Sequence, residues 1–194
     1  MLRTVITFSL IFLSGSLYAQ SGKDLSVYLS TGSAVSFGTL SERAPYGFQG
    51  MAGLGLKPSP RTSPELEVVS GFCYSYFPAR EDDYGDIIFI LAGLDFRLHL
   101  QSPGANGFYV TVGGGYAYTR IEEHAYQTYL GAAVRSERLI PEITEHNTYF
   151  SPGLGYEFGR SQGLRFFIEG RFLLVFGTHI KNNTIMPLNV GIKF

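Results

Sequence analysis

The chain has 194 residues, 45% of them apolar and only 16% Asp, Glu, Lys or Arg, with 24 glycines, 16 Phe, 13 Tyr and no Trp. A formal net charge of −1 supplies no basic field to hold nucleic acid. A single cysteine excludes an internal disulfide framework and any zinc site built on several thiolates, and so many aromatics with so few charges exclude intrinsic disorder.

Met1 to Gln20 reads as an export leader. Arg3 gives a positive start, Val5 to Leu13 a short apolar core, and Leu17-Tyr18-Ala19 an approximate small-residue cleavage site. The core is too short for a membrane-spanning helix, which needs about 20 apolar residues. Residues 1–19 are thus expected to be a signal peptide and residues 20–194 one exported domain.

Beyond the leader, eight runs alternate apolar with small or polar residues, the period-2 signature of strands. They fall at Leu25–Phe37, Tyr46–Lys57, Glu65–Phe77, Asp86–His99, Phe108–Thr119, Thr148–Gly159, Arg165–Phe176 and Met186–Phe194. In the last run Met186, Leu188, Val190, Ile192 and Phe194 share one face, with Pro187, Asn189, Gly191 and Lys193 on the other. The expected fold class is all-β, an eight-stranded antiparallel up-and-down transmembrane β-barrel.

The contrast between the two faces supports a membrane barrel over a soluble sandwich or barrel. One face carries bulky groups such as Phe48, Phe72, Tyr74, Phe96, Phe108, Tyr116, Tyr118, Phe158 and Phe172, and no charge. An eight-stranded barrel is just wide enough inside for its own side chains, so a set this large must point outward. The opposite face holds most of the strand glycines and the charges Glu65, Glu67, Asp95, Arg97, Glu157, Arg165, Glu169 and Arg171. Inside a barrel these eight would pair as an interior charge network, because an isolated buried charge costs several kcal/mol. The alternative for them is the solvated outer face of a soluble protein.

Connection lengths fit the same picture. The link at 160–164 is short and lies on the side of the termini, whereas the link at 120–147 is long and lies on the opposite side, as in bacterial barrels. Aromatics near strand ends suit two interfacial girdles: Tyr46, Tyr76, Tyr118, Tyr149 and Phe176 at one rim, Phe108, Phe158, Phe166 and Phe194 at the other.

The leader, the eight amphipathic runs and the terminal Leu188-x-Val190-x-Ile192-x-Phe194 resemble the small outer-membrane β-barrel proteins of Gram-negative envelopes. More narrowly, the chain is similar to the outer-membrane protein β-barrel domain family that includes PorT-like proteins. The resemblance implies that Val190, Ile192 and Phe194 act as the C-terminal signal read by the barrel assembly machinery. It also implies a location in the outer membrane, with outer-membrane lipid as the surrounding partner.

Chemistry-bearing patterns are sparse. His124 and His146 lie near Glu122, Glu123 and Glu145, but no His-Glu-x-x-His spacing occurs, and two solvated loop histidines are the simpler reading. A lipid A deacylase or acyltransferase needs a nucleophile beside an oriented histidine, yet neither His-x-Ser nor Gly-x-Ser-x-Gly is present. Gly113-Gly114-Gly115 lies within a strand with no helix after it, so it reads as curvature and not as a phosphate cradle. No catalytic residue, cofactor or metal is expected.

The long connection is the best functional candidate by position, because recognition usually resides on loops held by a rigid scaffold. Arg120, Tyr126, Tyr129, Arg135 and Arg138 are its candidate contacts for an extracellular or envelope protein partner. A projecting β-hairpin and a short helix around 122–135 are both open. The expected function is that of a non-catalytic integral outer-membrane barrel with a packed polar interior and loops for envelope organisation or partner binding. A soluble periplasmic lipocalin-like carrier of an apolar ligand and an outer-membrane lipid A modifying enzyme are the alternatives.

Overall fold

The structure, a computed structural model, describes residues 25–58, 64–80, 85–101, 105–130, 134–159, 163–177 and 183–194, with the backbone alone over 124–130 and 134–138. The leader assigned to residues 1–19 lies outside the described residues.

The wall starts with β1 (Leu25–Phe37), β2 (Tyr46–Leu56), β3 (Glu65–Phe77), β4 (Ile87–His99) and β5 (Gly107–Ile121), each antiparallel to the one before. A separate hairpin, β6 (His124–Leu130) with β7 (Val134–Ile140), stands between β5 and β8 (Ile143–Gly159). β9 (Arg165–Arg171) and β10 (Leu173–Phe176) both pair with β8, and β11 (Asn183–Lys193) pairs with them and with β1. That last pairing closes an eight-stranded antiparallel barrel, so the sheet has no free edge.

β9 and β10 are two halves of one wall strand. Gly153 opposes Arg171 and Phe150 opposes Leu174, so the register carries across Phe172 unchanged. The interruption comes from Pro152. Phe172 donates its N–H to the Pro152 carbonyl at 2.8 Å, but proline has no N–H to return.

Strand boundaries expected for β1 and β3 match those observed, β2 and β4 are each one residue shorter than expected, and β5, β8 and β11 begin earlier. β8 begins at Ile143, five residues before the expected Thr148, and β5 runs on to Ile121. Most of the long connection is therefore sheet: its helix-or-hairpin alternative resolves to a hairpin.

Side chains alternate sharply across the wall. In β11 the burial runs inward at Ile185, Pro187 and Asn189 and outward at Met186, Leu188 and Val190. Phe48, Phe72, Tyr74, Phe96, Phe108, Tyr116, Phe158 and Phe172 are all exposed on the outside. Toward the hairpin end the exposed rings are Tyr46, Tyr74 and Tyr116 together with Phe37, Phe48 and Phe176, whereas Phe96, Phe108, Phe158, Phe166 and Phe194, with Tyr156, circle the end that holds the termini. One girdle assignment is corrected: Tyr149 has inward parity, and it packs against the core instead of joining the rim.

The interior has two storeys, which corrects the expectation of a polar lumen throughout. Toward the termini it is ionic. Toward the hairpin end Phe77, Ile87, Phe89, Leu91, Ile121, Leu173, Val175 and Ile185 form a hydrophobic core. A single helical turn, α1 (Thr39–Arg43), folds back over that mouth and buries Leu40, followed by Ala44, in the same cluster. Ser36 holds the fold-back by donating its hydroxyl to the Ala44 carbonyl at 2.6 Å.

Inward glycines sit where a bulky group on the adjacent strand leans over them. Tyr109 opposes Gly155, Asp95 opposes Gly113, Phe167 opposes Gly191 and Asn189 opposes Gly32. A Cβ on Gly155 would collide with the Tyr109 ring, and one on Gly191 with the Phe167 ring. Replacing Gly155 with Leu is expected to destabilise the barrel by about 2 kcal/mol through overpacking. Urea unfolding in detergent micelles, read by the mobility of unboiled protein on a gel, measures it; an unchanged midpoint would remove the complementarity argument.

Candidate functional site

The densest polar constellation lies in the storey nearest the termini. Strand parity places its members: Glu65 and Glu67 on β3, Asp95 and Arg97 on β4, Glu157 on β8, and Arg165, Glu169 and Arg171 on β9 all point inward. All eight are buried, with Glu67, Arg97 and Glu169 fully enclosed.

Arg97 is the hub. Its guanidinium carbon lies 4.3 Å from the Tyr28 ring centroid, 5.3 Å from that of Tyr109 and 5.4 Å from that of Phe167. Its Nη2 is 3.2 Å from Glu169 Oε2. Glu169 also accepts a hydrogen bond from Arg171 Nε at 2.6 Å and one from the Tyr109 hydroxyl at 2.9 Å. Arg171 reaches on to Asp95, Nη2 to Oδ2, at 2.7 Å. The chain Asp95–Arg171–Glu169–Arg97 thus ties β4 to β9 across the lumen. An aromatic box around a cation replaces part of the hydration that burial removes.

A second cluster lies closer to the termini. Glu67 accepts from Lys193 Nζ at 3.0 Å and from the Tyr28 hydroxyl, and it faces His99 Nε2 at 3.2 Å. Glu157 pairs with Arg165 Nε at 2.6 Å and with Lys193 at 3.5 Å, and Lys57 pairs with Glu65. Lys193 was missing from the network read in the sequence, although it shares its face with Asn189 four residues earlier. The signal was that parity; a lysine next to the chain end reads equally well as solvated.

These ions bind one another across the lumen. Such a network holds the wall in one register, because removing one partner leaves an uncompensated charge.

At the opposite end, Arg120 stands at the tip of β5 with its Nη2 2.7 Å from Glu142 Oε2. The pair brackets the base of the β6–β7 hairpin. Within the hairpin Tyr126 opposes Arg138 and Tyr129 opposes Arg135. The side chains of these four lie outside the described residues, so the structure joins them by register alone. His146, read as a loop residue near possible metal ligands, lies on β8 and faces outward against the Tyr116 hydroxyl. No group of three or more His, Cys, Asp or Glu that could hold a metal occurs among the described residues.

Val190, Ile192 and Phe194 all face outward on the closing strand. Phe194 and Val27 exchange both backbone hydrogen bonds, at 3.0 and 3.1 Å.

Replacing Glu169 with Ala is expected to cost about 3–5 kcal/mol, because Arg97 and Arg171 both lose their shared carboxylate in a buried site. Combining Arg97→Met with Glu169→Leu should cost less than the two single changes added together. Unfolding midpoints of the four proteins in micelles form the double-mutant cycle, and strict additivity would show that the two groups do not interact.

No protein-family model matches the chain. No curated protein matches it either. Among solved structures, the chain is similar to Neisserial surface protein A, with a TM-score of 0.52, 14% identity, and 87% of this chain and 95% of that one covered. It is also similar to the N-terminal β-barrel domain of Pseudomonas aeruginosa OprF, with a TM-score of 0.50, 17% identity, and 87% of this chain and 97% of that one covered. At these identities the likeness is one of fold: this chain is a closed eight-stranded antiparallel barrel of the same architecture.

Proposed function

We propose that the protein is an integral outer-membrane barrel, non-catalytic and closed to general diffusion, whose outer hairpin engages an envelope or surface partner. The observation that carries the reading is the chemistry of the outer wall. Among the described residues of the eight wall strands, outward positions hold large apolar groups, glycines and small polar groups, and Arg120 at the β5 tip is the one residue there with a permanent charge. In water such a belt is an aggregation liability; in lipid it is the required surface.

The closed interior bears on the alternatives. A lipocalin-like carrier needs an apolar cavity for its cargo, whereas here the apolar storey is packed with its own side chains and capped by Leu40 and Ala44. The non-catalytic part of the proposal rests on the commitment of the interior groups to one another. Glu67 faces His99 and Lys193, and Glu169 faces Arg97 and Arg171, so neither pair of partners is presented to a substrate.

The narrower likeness to PorT-like barrels belongs to the same proposal, as do outer-membrane lipid and the barrel assembly machinery as partners. The outward row Leu188, Val190, Ile192, Phe194 on the closing strand supports them. The hairpin is the recognition element because it projects from a rigid rim and forms no part of the wall.

Envelope fractionation is expected to place the protein with the outer membrane, with faster gel mobility before boiling than after. Recovery in the aqueous fraction without detergent would refute the membrane reading. Deleting residues 124–140 should leave the heat-modifiable form intact and abolish partner capture, and loss of the folded form would show the hairpin to be structural. Lipid A from cells with and without the protein should give identical mass spectra; a changed acyl pattern would overturn the non-catalytic reading.

A further inference from the structure

Among the described residues the wall ladder is broken at one place, between the two interior storeys. Phe172 turns its carbonyl toward Pro152 on β8, whose nitrogen carries no hydrogen. On the other side, Val27 and Phe194 form a hydrogen-bonded pair, so alternate residues back along β11 bond to β1, through Leu188. Pro187 therefore directs its nitrogen the other way, toward Arg171, the next residue after the Gly170–Leu188 pair. Two consecutive carbonyls, of Arg171 and Phe172, thus face proline nitrogens on opposite neighbours. In lipid no water replaces those missing ladder bonds. Gly170 lies beside the defect with nothing within 4 Å of the place a Cβ would take, so no side chain bolts the seam there from the lipid side.

A cavity of about 30 Å³ sits directly behind this seam, lined by Cys73, Asp95, Tyr149, Arg171, Leu173 and Pro187 among others. It holds about one water molecule. The seam and the cavity share Arg171 and Pro187, so a local parting of the wall connects the cavity sideways to the bilayer. Along the axis of the described residues, α1 packs over one mouth and the ion network crosses the other end.

The geometry points to a lateral opening at Pro152 and Pro187, through which small uncharged solutes reach the interior beside Arg171 from the membrane. The inference rests on the membrane reading above. Local opening of this kind follows the weakest hydrogen bonding in a structure.

Cys73, a buried free thiol on the cavity, is a native reporter. The full chain is reconstituted in phosphatidylcholine vesicles, recovered by flotation and treated with N-ethylmaleimide or with a charged thiosulfonate. Labelling is read by mass spectrometry. N-ethylmaleimide is expected to label Cys73 in the folded wild type, and the charged reagent to leave it unlabelled. Restoring the two N–H donors with Pro152→Ala and Pro187→Ala should slow labelling about tenfold. Equal rates in wild type and double variant, no labelling of wild type under conditions that label the unfolded chain, or equal labelling by the charged reagent would each overturn the seam. Should the double variant not fold, amide hydrogen exchange of the wild type decides: residues 149–153 and 170–174 must exchange faster than the β4–β5 ladder, and slower exchange there refutes the opening. Failure to float with vesicles would refute the membrane reading itself, whereas flotation without selective labelling refutes the seam alone.

Discussion

Closing eight strands on themselves fixes the volume of the lumen, and every inward side chain has to be fitted within it. The glycines are the fitted counterparts of the large residues: Gly155 under Tyr109, Gly191 under Phe167, Gly113 beside Asp95. Because those rings pack inward, they can wrap Arg97, and because Arg97 is wrapped, Glu169 and Arg171 can share a dry site with it. Take away the glycines and the ionic storey has no room to assemble.

The division of the interior follows from the same limit. Ions of both signs have to meet across the axis, and the barrel gathers them at one end, where strands β3, β4, β8, β9 and β11 contribute acids and bases at adjacent levels. The other end needs no such matching, so it is filled by Phe77, Phe89, Leu173 and their neighbours, with α1 tucked on top. Arg171 marks the boundary, with Glu169 on one side of it and Leu173 on the other.

Most of the architecture was legible in the sequence because alternation needs only one strand at a time to be read. Leu25–Phe37 and Glu65–Phe77 emerge with their ends in place, and the ionic residues emerge on the right face. What alternation does not supply is height. It assigns Phe77 and Glu67 to one face of one strand without saying that they sit in different surroundings, so the apolar storey went unread. Tyr149 was drawn to the rim by its residue type, although its parity turns it inward. Lys193 was passed over because its partners, Glu67 and Glu157, lie far away in sequence and approach only when the last strand closes on the first. The site on the hairpin was legible only as a position: Tyr126 and Tyr129 are placed by register with Arg138 and Arg135, and composition alone left a helix equally open.

The unequal rims give the molecule a built-in polarity. At the hairpin end Tyr46, Tyr74 and Tyr116 set phenol hydroxyls, which can donate and accept hydrogen bonds, among the bare rings of Phe37, Phe48 and Phe176, while the opposite rim carries five phenylalanines and Tyr156. A barrel built this way is not indifferent to being turned over. In the membrane reading proposed above, turning it over would exchange a rim with three exposed phenol hydroxyls for one with a single such group, so the outside of the wall by itself tells its two ends apart.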